Sequence, residues 1–221
     1  MADLSALAPL RQEAAPLRRK IAATLRAAIE SGNLPAGARL VEKDLCQQLS
    51  VSRTSLREAI RELESEGLLI TGPGGGVAVA GMTEAEARNI YRVRGALEAL
   101  AAEQFAERAD DAMIHELKDA SARLADAYDS GVIAEMLAAK RHFYETLCRG
   151  AGNPVVMDLL NRLNARINLL RSTSLGAQGR LAVSITEIKA LVEALARRDA
   201  AAARQVAEAH VAAAADAALG G

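Results

Sequence analysis

Three arginines spaced four residues apart, Arg53, Arg57 and Arg61, lie inside the stretch VSRTSLREAIRELESEGLL at residues 51–69. A helical period of 3.6 puts them on one side with Thr54 beside them, and turns Leu56, Ala59, Ile60 and Leu63 to the other. The chain around this helix must therefore supply a core for one face and leave the arginine face open. A guanidinium carries a rigid fork of donors that grips a guanine edge or a phosphate with two bonds, which an ammonium does not do. The stripe reads as a helix that enters a DNA groove. Alone it reads equally as a solvated face with local ion pairs to Glu58, Glu62 and Glu64, so the flanking residues decide.

Upstream, Ile21, Leu25 and Ile29 give one amphipathic helix. Gly, Asn and Pro mark a turn at residues 31–37, and a shorter helix follows near residues 42–49. Ser52 stands where its hydroxyl can cap the arginine helix. Two short helices around a tight turn make a helix-turn-helix. Downstream, Gly67 ends the helix and residues 68–70 can form a strand. TGPGGG then turns at residues 71–76 into a second strand, in which Val77 and Val79 alternate with small residues. This hairpin is a wing, and a tip without Cβ atoms can lie close against a DNA backbone. An ordinary flexible hairpin is the competing reading.

With these residues in place, GNLPAGARLVEKDLCQQLSVSRTSLREAIRELESEGLL resembles the winged-helix domain of the GntR family of bacterial transcription regulators, over roughly a third of the chain. The Pro-Gly turn, the acidic second helix and the SRTxLREALxxLExEGL pattern are met, with Ile60 where Leu is more usual. The resemblance implies that Lys43, Ser52, Arg53, Thr54, Arg57 and the wing residue Gly74 contact DNA.

Net charge is −1, and residues 1–80 hold 10 Lys plus Arg against 9 Asp plus Glu. With so little excess charge, DNA binding rests on a few well-placed arginines, and a moderate salt dependence is expected. No stretch is long or apolar enough to span a membrane, and the N-terminal residues lack the features of a secretory signal; they read as an arm leading into the first helix. A cytoplasmic location is expected. Cys46 and Cys148 belong to no paired motif, so neither a disulfide nor a zinc site is expected.

From Thr83 onward the pattern is helix after helix. Thr83 and Glu86 make a capping box before Ile90, Val93, Leu97 and Leu100; Asp110 opens the next segment and Gly131 ends it. Gly152 stops a third helix, Asn153 caps a fourth, and Pro154 takes its first position. The fourth carries Leu159, Leu163, Ile167 and Leu170, and the run STSLGAQG reads as a loop before helices from about Arg180 and from the RRDAAAA run. The expected fold is mostly α. A winged helix-turn-helix over residues 1–80 precedes an antiparallel bundle of about six helices over residues 81–221. Such a bundle can enclose a pocket or form a solid core.

Tyr91, Arg94, Leu97 and Glu98 form a YxxRxxLE pattern, and Ala151 to Pro154 spell AGNP. Both resemble the FCD ligand-binding domain of the FadR-like branch. That resemblance implies a divalent metal held by an Asp and a His one turn apart and by two further His. Here the Asp position is Lys140, the His position is Tyr144, and Ile188 replaces a third ligand, leaving only His210. A lysine ammonium has no lone pair and repels a cation, so no metal and no other cofactor are expected. Lys140 and Tyr144 stay one turn apart on one face with Arg94 available, which suits an anion. A small carboxylic acid gripped by Arg94 and Lys140, with Tyr144 and His210 donating further bonds, is the expected effector. The competing reading has Lys140 reaching solvent beside a vestigial pocket. His142 lies two positions from the expected ligand and reads as surface or partner-facing.

The chain is thus expected to be a homodimeric, ligand-responsive repressor on a palindromic operator. With three His in all and no catalytic constellation, no enzyme is expected. A ligand-blind DNA binder with a vestigial effector domain is the alternative.

Overall fold

The first helix, α1 (Ala15–Glu30), forms because Ile21, Ala22, Leu25 and Ile29 fall on one stripe, and all four are buried. This is a computed structural model, and it describes residues 15–72 and 74–220. Of the N-terminal segment read as an arm, residues 1–14 lie outside the described residues, and residues 15–20 already belong to α1. After the turn come β1 (Arg39–Leu40), α2 (Glu42–Leu49) and α3 (Arg53–Ser65). Leu56, Ala59, Ile60 and Leu63 of α3 meet the α1 stripe in one core, as their spacing predicts.

Gly67 (φ 72) reverses the chain after α3, with Leu68 N–H donating to Leu63 O and Gly67 N–H to Glu64 O. The wing strands β2 (Leu69–Thr71) and β3 (Val77–Val79) then pair antiparallel, Leu69 opposite Val79 and Thr71 opposite Val77. The sheet has three strands, ordered β1-β3-β2, where the alternation pattern predicted two. β1 has only two residues, too few for a period to register. Its pairing is clear in the structure, with Leu40 buried opposite Val77 and Arg39 exposed opposite Ala78.

Among the described residues six helices follow in a second core: α4 (Glu84–Arg108), α5 (Asp111–Ser130), α6 (Ile133–Ala151), α7 (Pro154–Gly176), α8 (Arg180–Ala196) and α9 (Ala200–Leu219). The starts match their sequence signals. Thr83 and Glu86 form both halves of a capping box; Asp110, Asn153 and Asp199 accept backbone N–H bonds at the starts of α5, α7 and α9.

Two expectations are corrected. The STSLGAQG run is not all loop, because α7 continues to Gly176, anchored by buried Leu175, and only residues 177–179 break the chain. Val93 and Leu159 face solvent. On α4 the inner positions are taken by Arg94 and Glu98, which pushes the apolar pattern off register, while Leu160 and Val156 take the inner side of α7. The Ile167 side chain lies outside the described residues. Among the described residues no helix is long and apolar enough to cross a membrane.

The two cores touch through α1 and α7. Asn168 Nδ2 donates to Glu30 Oε1 at 2.9 Å, and the Arg166 guanidinium packs over Gly67, where a Cβ would meet it at 3.0 Å.

Candidate nucleic-acid interface and effector core

The arginine face begins at Ser52, whose hydroxyl accepts the Ser55 N–H at 3.2 Å and so caps α3. Arg53, Thr54, Arg57 and Arg61 are all exposed. Of the three glutamates named as possible partners, Glu62 and Glu64 bond elsewhere, as does Glu66 just after the helix. Glu62 pairs with Arg18 at 3.2 Å, Glu66 takes both nitrogens of a fork from Arg26 at 2.6 and 3.0 Å, and Glu64 accepts the Thr71 hydroxyl. These bonds fasten α3 to α1 and to the wing. Among the described residues, Arg53 and Arg61 make no ion pair, so their donors remain available to an anion.

Arg57 is held by Glu42 of α2, Nε to the two oxygens at 2.9 and 3.2 Å, with the arginine side chain 65% exposed. The pair ties α3 to the start of α2, where Lys43, next in sequence to Glu42, is exposed. Gly74 stands apart at the wing tip, exposed and with open space around it, in a turn closed by Gly72 N–H to Gly76 O at 2.9 Å. Sequence reasoning missed Arg39. Its guanidinium reaches the tip beside Gly76, and only the β1 pairing brings it there.

The four residues expected to grip an effector, Arg94, Lys140, Tyr144 and His210, come from α4, α6 and α9 and are all buried. The Arg94 guanidinium carbon lies 5.8 Å from the centroids of both the Tyr91 and Tyr144 rings. Lys140 does not reach solvent: it is 2% exposed and donates to Tyr128 Oη at 3.3 Å and Ser184 Oγ at 3.4 Å, themselves 3.0 Å apart. His210 Nδ1 lies 2.6 Å from Glu187 Oε2, and Arg180 binds the same oxygen at 2.7 Å.

These partners change two of the expected roles. Arg94 is not a free cation, because Glu98, also buried, holds its Nε at 2.7 Å. Burial is the largest single influence and pulls the guanidinium pKa down, but the Glu98 charge and hydrogen bond, with Tyr144 and Tyr91, together outweigh it and leave the pKa above its usual value. His210 is not a donor toward the core. Burial first, and then the Lys140 charge, push its pKa down to about 3 against the raising pull of Glu187, so the ring is neutral. With Nδ1–H given to Glu187, Nε2 is left as an acceptor. Burial alone would raise the Glu187 carboxyl, but its bonds from His210 and Arg180 hold it below the usual range.

Glu98 was readable from its i, i+4 spacing to Arg94; Tyr128, Ser184 and Glu187 come from other helices, and nothing in the sequence marks them. Several atoms of this core are buried without a hydrogen-bond partner among the described residues, including Arg94 Nη1, His210 Nε2 and Arg180 Nη1. Each such atom costs about 1–3 kcal/mol unless something binds it.

The donor set does not suit the divalent ion of related domains. A bonded ammonium and fully buried Ile188 occupy ligand positions, and His210 offers one imidazole. Among the described residues no three His, Cys, Asp or Glu are grouped to hold a metal. Among the described residues Cys46 and Cys148 form no disulfide, and they lie in different cores.

Comparison with known proteins fits this two-part arrangement. Residues 17–79 match the gntR family of bacterial regulatory proteins, and residues 89–213 match the FCD domain. The HTH-type transcriptional regulator YdhC of Bacillus subtilis is 28% identical over 187 residues, covering 84% of this chain and 84% of that protein. The gluconate operon transcriptional repressor of Bacillus licheniformis is 30% identical over 150 residues, covering 65% of this chain and 59% of its own length. In fold, the solved structure of Escherichia coli McbR/YncC superposes with a TM-score of 0.75 at 24% identity, covering 89% of this chain and 93% of that one. The chain therefore belongs to the GntR family, in the branch that carries an FCD domain, and is a transcriptional regulator rather than an enzyme.

Proposed function

We propose that this regulator is an effector-responsive repressor that binds a palindromic operator as a homodimer in the cytoplasm. Lys43, Ser52, Arg53, Thr54 and Arg57 of each protomer face the major groove, and Gly74 lies against the flanking backbone. The exposed arginine face supports this reading, since Arg53 and Arg61 make no ion pair among the described residues and Glu62 and Glu64 are committed to α1 and the wing. Repression is the sign carried by the name of the gluconate operon relative.

The effector is a small organic acid, taken up without a metal in the core formed by Arg94, Lys140, Tyr144 and His210. The carrying observation is the set of unpartnered buried atoms around Lys140, above all Arg94 Nη1 as donor and His210 Nε2 as acceptor. A carboxylate answers the first, and a hydroxyl or acid proton answers the second. Binding switches the dimer only if the acid prefers one arrangement of the recognition helices to the other.

One observation favours a ligand-blind regulator instead: Arg94–Glu98, Lys140–Ser184 and His210–Glu187 are already bonded to one another. Both halves can be tested together by selecting tight-binding fragments from genomic DNA with the purified protein, then adding a panel of organic acids. A palindromic consensus whose binding one acid changes, and a Lys140→Met variant that binds the same site but ignores the acid, are expected. A consensus without two-fold symmetry would contradict the homodimer reading, and indifference to every acid would favour the ligand-blind one.

A further inference from the structure

We infer that the groove between α4 and α9 is the face through which two copies of this chain associate. The inference rests on the homodimer reading and adds to it the place of the contact. The groove has a volume of about 400 Å³. Its α4 wall carries Arg88 and Arg92, its α9 wall carries Glu208 and Asp216, and between them the small side chains of Ala96 and Ala212 are exposed. One wall is thus cationic and the other anionic.

Two of these charges are used within their own helices, Arg88 by Glu84 at 2.6 Å and Glu208 by Arg204 at 3.3 Å. Arg92 and Asp216 make no ion pair among the described residues. A two-fold axis across the groove sets the cationic wall of one copy against the anionic wall of the other, and does so twice, because an isologous contact repeats every interaction. Arg92 then meets the partner's Asp216 in both directions. A partner of a different kind would call for no such balance of opposite charges on a single patch.

Val93 supplies the apolar part. It is 50% exposed on the turn that carries Arg92, although the rest of α4 buries its large apolar side chains or half-buries them. An exposed valine beside an open, small-residue groove is well placed to lose its water when a second copy docks.

Sedimentation of the full chain over a concentration series tests this directly. Arg92→Glu sets two carboxylates against each other at each end of the contact and is expected to raise the dimer dissociation constant roughly 100-fold; Asp216→Arg should do the same by setting two guanidiniums together. The double variant R92E/D216R restores opposite charges and should return to within about tenfold of the wild type. Val93→Asp should weaken the dimer without rescue by either charge change. Arg92→Ala and Asp216→Ala, which introduce no repulsion, provide a milder pair of variants should a reversal disturb folding. If the wild type dimerises and none of these variants changes its constant, the contact lies elsewhere and the inference fails while the homodimer reading stands. A wild type that stays monomeric throughout overturns both.

Discussion

Arg57 and His210 are the two side chains whose roles depend most on their surroundings. Arg57 is 65% exposed and paired with Glu42, and an exposed pair of this kind adds at most about 1 kcal/mol to stability. If the arginine reads a base edge, Arg57→Ala should weaken operator binding by roughly 10- to 100-fold, while the unfolding midpoint shifts by no more than a few degrees. Titration of labelled operator alongside thermal unfolding separates the two effects. His210 predicts a pH dependence of folding. Its imidazole is pushed from 6.5 down to about 3, by burial first and then by Lys140, against the pull of Glu187. The unfolded chain takes a proton near pH 6.5 and the folded chain does not, so this contribution is intact above that pH and lost progressively as pH falls toward 3. Between pH 7.5 and 5.5 the expected loss is about 1.4 kcal/mol. Urea unfolding at both pH values should show it, and His210→Gln should remove most of the difference. Arg53 and Arg57 were legible in the sequence because an arginine stripe opposite a leucine stripe has a clear helical period. The neutral state of His210 was not, because it depends on Glu187 and Lys140 from other helices.

Among the elements, the caps were the most legible, since Thr83 with Glu86, Asp110 and Asn153 each satisfy backbone donors that the next few residues leave open. Strand β1 was missed because two residues carry no alternation, and the last turn of α7 was missed because Ser and Thr read as loop while Leu175 alone anchors them. Close helix crossings were equally invisible. On α6, a Cβ at Gly150 would overlap the Phe105 ring of α4, so the α4–α6 crossing depends on a glycine in the last turn of α6. Gly150→Ala should therefore destabilise the fold by about 1–3 kcal/mol despite the better helix propensity of alanine, and Phe105→Leu in the same chain should recover part of the loss. Calorimetric midpoints of the two variants decide the matter, and a G150A chain as stable as the wild type would show that the crossing yields without strain.

For the molecule as a whole, two cores are joined through Glu30–Asn168 and through Arg166 over Gly67, just after α3. The division was legible from the change of pattern after the wing, whereas the contacts across it join residues far apart in sequence. With residues 1–80 nearly neutral, binding should show a salt slope set by a small number of contacts. Lys43→Ala should reduce that slope by about 0.9 per protomer if the lysine meets a phosphate. The central claim is that the helical domain takes an organic acid through its own polar side chains in place of a metal. Its most direct test is thermal unfolding of the wild-type protein with a panel of small carboxylic and hydroxycarboxylic acids, once under chelator and once with zinc or manganese added. An acid present at 100 times its dissociation constant should raise the midpoint by about 5–10 °C under chelator, and Lys140→Met should abolish the rise. Stabilisation that appears only when metal is added, or that survives in the K140M variant, would contradict the account.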